Sequence, residues 1–219
     1  MFSHYLFSKP ISFESSSVNM LVFENPLDMG KMILELSNQM GGSQGSFILS
    51  ENNKELDIHK SVILVVDPFA LDCNSKEILS GFYQEVSKNI ELGEDYVKMR
   101  DVIGELMEVL IDAASSLEPD SDYSEPEVIP LLKSLSLGFL KTGSFSEDLC
   151  NYVRLVSRYT SKRLIILVKV GDYLSEEEYR GIVSYCHYLQ FPILLIESQN
   201  RDAGVPVRIY DYDFCELDM

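Results

Sequence analysis

Two apolar runs near the C-terminal end of the chain limit what it can fold into more than any other feature. Leu164–Val170 reads as an apolar strand and Phe191–Ile196 as a second one. Between them Ser175-Glu-Glu-Glu178 has the form of a capping box, with a helix running on to Gln190. Strand, helix, strand with continuous apolar strands is the pattern of a parallel sheet covered on both faces. Antiparallel sheets open to water on one side would show alternation instead.

The other end of the chain repeats the pattern. Met20–Phe23 and Ile63-Leu-Val-Val-Asp67 are strand-like, and a helix opening at Pro26 or Asp28 carries Met29, Met32, Ile33 and Leu36 on one face. Tyr5–Phe7 and Ile11–Phe13, split by Lys9-Pro10, suggest a hairpin, and Phe47–Leu49 a further strand. The middle is helical. Ile78, Leu79, Phe82, Tyr83 and Val86 form one apolar stripe, and Met99 to Ala113 another. Val128–Leu140 and Ser146–Tyr159 follow as helices, after the acidic, proline-containing stretch 118–127. The expected fold is therefore α/β: a parallel-sheet head from residues 1–72 and 161–219, and an inserted α-helical leg, 73–160, whose hinge loop is 118–127.

The strand Met20–Phe23 runs into Asn25-Pro-Leu-Asp-Met-Gly30-Lys31-Met32, which almost spells a phosphate-binding loop. Such a loop reads G-x-x-x-x-G-K-[ST], with glycine for the turn, lysine for the phosphates and a hydroxyl for magnesium. Here Asn25 replaces the first glycine, Met32 replaces the hydroxyl, and Pro26 removes a backbone N–H. The frame looks P-loop-like with its chemistry removed, which favours a binder over a catalyst. Gly41-Gly-Ser43-Gln-Gly45 matches a nucleophile-elbow pattern but follows a helix, where that motif needs a strand before it. One enzymatic alternative stays open. Asp67, Asp72 and Asp172 fall near strand ends, where carboxylates with magnesium would serve a metal-dependent nuclease or a vestigial P-loop NTPase.

Charge is distributed unevenly. From Val128 to Lys169 seven bases, Lys133, Lys141, Arg154, Arg158, Lys162, Arg163 and Lys169, face only Glu147 and Asp148, a net of +5. The remainder carries −22 of the chain's total of −17. Such asymmetry suits one basic face on an acidic body. Cys73, Cys150, Cys186 and Cys215 are scattered, as expected of reduced thiols in a cytoplasm. No apolar run is long enough to span a membrane. His4, His59 and His187 lack metal or triad spacing.

Two blocks of sequence resemble a known family. They are Leu64-Val-Val-Asp67-Pro-Phe-Ala-Leu-Asp72-Cys-Asn74-Ser75, and Tyr159-Thr-Ser-Lys162-Arg163 running through Gly171-Asp172-Tyr173-Leu174-Ser175-Glu-Glu-Glu178 to the strand Ile193–Glu197. Together with the order of elements, they are similar to the type II-A CRISPR-associated Csn-two family, accessory proteins of spacer acquisition. The resemblance implies a P-loop-like head with a helical leg, no catalysis, and a homotetrameric ring around double-stranded DNA ends. It also implies CRISPR integrase and effector nuclease proteins as partners. For this chain it points to Lys133, Lys141, Arg154, Arg158, Lys162 and Arg163 as DNA-binding residues. Ca2+ would be the cofactor, held by carboxylates among Glu118, Asp120, Asp122, Glu125 and Glu127. Without the resemblance that stretch reads first as a solvated acidic loop, because its spacing fails the EF-hand pattern.

Overall fold

The structure, a computed structural model, describes residues 1–117, 124 and 126–217. In chain order the elements are β1 (Phe2–Ser3), β2 (Val18–Phe23), α1 (Pro26–Met40), β3 (Ile48–Glu51), β4 (Lys54–Leu56), α2 (Ile58–Ser61) and β5 (Val62–Val65). Four helices follow: α3 (Lys76–Leu92), α4 (Asp95–Ser115), α5 (Val128–Ser134) and α6 (Phe145–Tyr159). The chain closes with β6 (Leu164–Val168), a 3-10 turn (Val170–Tyr173), α7 (Glu176–Tyr188), β7 (Ile193–Glu197), β8 (Val207–Tyr210) and β9 (Glu216–Leu217).

The chain divides into two compact units, Met1–Cys73 with Lys141–Met219, and Asn74–Leu140. In the first, a main sheet has the order β5-β6-β7-β2-β8-β9. Its first five strands are parallel, and β9 closes one edge antiparallel to β8. Every residue of β2, β6 and β7 is buried, as both faces of a covered parallel sheet require. On one face Leu21, Phe23, Ile166, Val168, Leu194 and Ile196 join Met29, Met32 and Leu36 of α1 in a single apolar cluster. Helices α6 and α7 pack on each other, and α7 also on β2. Each such buried aliphatic side chain contributes roughly 1.5–3 kcal/mol. Ser175 caps α7: its Oγ accepts from the Glu178 N–H, and the Glu178 carboxylate accepts from the Ser175 N–H at 3.0 Å.

The expected α/β architecture, parallel-stranded head and helical unit, is the observed one. Three details differ. The N-terminal hairpin does not form. Phe2 makes an isolated bridge to Ile11, and β1 instead joins an antiparallel sheet of order β1-β3-β4. Phe2, Phe7 and Ile11 all lose their exposure there, so burial is achieved without hairpin pairing.

The second difference is where the chain returns to the sheet unit, at Lys141 rather than 161. Helix α6 buries Leu149, Val153, Leu155 and Val156 and belongs with the sheet. The third is the length of α5, which stops at Ser134 instead of continuing to Leu140. Ser136 has a φ of +51°, and Asn74 then brackets Phe139, donating to its carbonyl at 2.9 Å and accepting from its N–H at 2.8 Å. The Tyr83 hydroxyl donates to the Leu137 carbonyl at 2.6 Å, so the segment is pinned within the helical unit.

Candidate nucleic-acid interface

The phosphate-loop position is closed. Only Glu24 and Asn25 separate β2 from α1, too short a connection to wrap a phosphate. Asn25 caps the helix, its Oδ1 accepting from the Leu27 N–H at 3.0 Å while its Nδ2 donates to Asp28 at 2.8 Å. The Lys31 ammonium, which would reach phosphates in a working loop, donates to Asp28 at 2.7 Å. A carboxylate therefore stands in the first turn, where an anion would have to sit.

Of the six basic residues singled out by the sequence, five lie on the sheet unit and Lys133 on the helical unit, in the last turn of α5. Arg154 and Arg158 are four residues apart on α6, so one helical face carries both, away from the buried Val153 and Val156. Arg154 donates to the Asn151 side chain at 3.2 Å, and the Arg158 guanidinium lies 5.4 Å from the Tyr159 ring centroid. Just beyond the helix, Lys162 donates to the His59 carbonyl at 3.3 Å. Arg163 diverges toward Glu51, at 3.8 Å, with both side chains more than half exposed, a pair of little energetic weight. Lys141 is exposed at the start of the returning segment. The turn that follows it is fixed by Asp148, which accepts from the Thr142 N–H at 2.8 Å and from its hydroxyl at 3.0 Å. Those bonds hold the Asp148 carboxyl below its ordinary pKa.

Glu118, Asp120, Asp122 and Glu125 lie outside the described residues. Glu127 is exposed at the start of α5, where its side chain makes no capping bond. An all-oxygen donor set of this kind is what calcium takes. Asp67, Asp72 and Asp172 do not converge: among the described residues no three His, Cys, Asp or Glu side chains are grouped to hold a metal. Asp67 is instead a turn residue, its Oδ1 accepting from the Phe69 N–H at 2.9 Å. His4 faces Glu35 at 3.3 Å, and His187 bonds Ser17 at 3.0 Å. All four cysteines are free thiols, and burial pushes that of Cys186 up to about 12. Among the described residues no helix is long and apolar enough to cross a membrane.

One group carried no role in the sequence reading. Glu197 ends β7 at 1% exposure, at the carboxyl end of the sheet. Its Oε1 accepts from the Gly171 N–H at 3.0 Å and from the Tyr179 hydroxyl at 3.4 Å. Burial raises its pKa to about 7; the Gly171 N–H opposes the rise, while the charge of Asp172 adds to it. The only available signal was a glutamate closing an apolar run, which does not distinguish a buried carboxylate from an exposed strand end.

The sequence profile of the family described as CRISPR-associated protein (Cas_Csn2) matches residues 39–214. A relative named CRISPR-associated protein Csn2, from Streptococcus agalactiae, is 23% identical over 155 residues, 70% of each chain. Among solved structures, that of Stu0660 of Streptococcus thermophilus aligns with a TM-score of 0.62 at 15% identity. The alignment covers 99% of this chain and 76% of that one, and establishes likeness of fold.

Proposed function

The chain belongs to the Cas_Csn2 family of CRISPR-associated proteins, and from that premise we propose that it binds double-stranded DNA ends during spacer acquisition. In this reading it acts as a calcium-dependent homotetrameric ring, without sequence preference and without catalysis. The observation that carries the reading is the arginine pair Arg154 and Arg158 on one face of α6, in the basic window of an otherwise acidic chain. Phosphate contacts from such residues supply affinity without reading bases, and four copies facing one channel multiply a modest contact into firm holding. Acid elsewhere keeps duplex off the other surfaces.

Self-association draws support from α4. Ile103 is its one buried residue, while Val102, Leu106, Val109 and Leu110 stay 45–66% exposed at helical spacing. An apolar stripe of this kind is what a second copy would cover. The closed phosphate-loop position supports a role that spends no nucleotide. The proposed partners in the cell are the CRISPR integrase and effector nuclease proteins.

Calcium dependence is tested by a gel shift of linear duplex in calcium and in chelator. We expect chelation to weaken binding about tenfold or more, calcium to restore it, and the DNA to remain intact. Changing the acidic stretch together (Glu118→Gln, Asp120→Asn, Asp122→Asn, Glu125→Gln and Glu127→Gln) should abolish the response to calcium. Equal binding in chelator would remove calcium from the account, and magnesium-dependent loss of DNA would make the protein a nuclease.

A further inference from the structure

Three aromatic rings from three separate segments meet on the surface of the sheet unit. Phe69 follows β5, Phe145 opens α6, and Tyr173 ends the 3-10 turn after β6. The Phe69 centroid lies 4.9 Å from that of Phe145 and 4.7 Å from that of Tyr173, the latter pair edge-on. Phe145 and Tyr173 are also edge-on, at 6.1 Å. Phe69 remains 57% exposed and Tyr173 51%.

Each ring is held by its own backbone device. The Asp67 carboxylate receives the Phe69 N–H at 2.9 Å. Lys169 adopts a φ of +55° and its carbonyl accepts from the Asp172 N–H at 3.2 Å, which sets the turn that presents Tyr173. Ser144 caps α6, placing Phe145 at its first position. Rings so fixed lose little entropy on binding, and exposed aromatic anchors of this type dominate the energetics of protein contacts.

The charge around the rings selects the occupant. Asp67 and Asp172 are exposed beside them in sequence, and the one nearby base on the turn, Lys169, is 3.6 Å from Asp172. Phosphate is repelled by such a rim, whereas a guanidinium or ammonium finds both carboxylates and the negative faces of the rings. We propose that Phe69, Phe145 and Tyr173, rimmed by Asp67 and Asp172, form a docking site for a basic, arginine- or lysine-bearing segment of a protein partner. The site is separate from the arginine face of α6, so it stands whether or not the DNA-end reading does.

The test is a fluorescence-anisotropy titration of the full chain with three probes: a peptide alternating arginine and leucine, its glutamate counterpart, and a short DNA duplex. The wild type is compared with a Phe69→Ala, Tyr173→Ala variant, whose net charge is still −17. Because charge is unchanged, general attraction between an acidic protein and a basic peptide predicts no difference. We expect the arginine peptide to bind the variant at least about tenfold more weakly and the glutamate peptide to bind neither form. If the variant melts at a lower temperature, Asp172→Asn reads the rim instead, with an expected weakening of about threefold. Equal peptide affinity in wild type and variants overturns the proposal. So does a loss of duplex binding confined to the ring variant, which would make the patch a nucleic-acid contact.

Discussion

Replacing Arg154 and Arg158 together by alanine is expected to weaken binding of linear duplex by about a hundredfold or more near physiological salt. The two side chains share a face of α6 and lie outside the set that packs the helix, Leu149, Val153, Leu155 and Val156. Their loss should leave the fold intact. Each phosphate contact removed lowers the slope of log affinity against log salt by about 0.9. In a tetramer the substitution removes a pair from every subunit, so the slope should flatten by several units. Anisotropy titrations over a range of salt concentrations measure both quantities. A weakened affinity with an unchanged slope would mean that the arginines act through packing rather than through phosphates. Arg163→Ala provides the contrast. Its pairing with Glu51 turns it toward β3, and its loss should flatten the slope much less.

Glu197→Gln is expected to stabilise the protein above neutral pH by up to about 3 kcal/mol, and to have little effect near pH 4.5. Burial raises the folded-state pKa of Glu197 to about 7 from an ordinary 4.5. Between those values the folded chain holds a proton that the unfolded chain has released. The neutral carboxyl's contribution is thus fully present below the unfolded pKa and is lost as pH rises through about 7. Glutamine removes the charge but keeps an oxygen for the Gly171 N–H and the Tyr179 hydroxyl. Asp148 and Glu178, held low by hydrogen bonds from Thr142 and Ser175, act in the opposite sense and at lower pH. Urea melts of wild type and variant across this range should diverge as pH rises. Parallel curves would show that Glu197 ionises in the fold without penalty.

Much of the frame was legible because apolar strands and capping chemistry are local signals. Leu164–Val168 and Ile193–Ile196 sit where the continuous apolar runs put them, and Ser175 with Glu178 makes the capping box its spacing announces. The failed phosphate loop was also readable, although Asp28 as the residue that occupies Lys31 emerged only from the geometry. Helix α6 was misassigned to the leg because an amphipathic stripe shows that a face is buried, not what buries it. Strands β8 and β9 escaped notice because strands of four and two residues carry little periodicity, with only Tyr210 buried in β8. The aromatic trio was invisible for a different reason. Its rings come from residues 69, 145 and 173, and only the parallel order of β5 and β6 with the start of α6 brings them together.

The measurement that tests the central claim most directly compares linear duplex with the same DNA as a closed circle, in calcium, by gel shift over a range of salt. A ring that threads free ends binds the linear form, slides off it as salt rises, and leaves the closed circle unbound until the circle is cut. Equal binding to the closed circle would contradict threading and leave an open basic surface on α6 as the site.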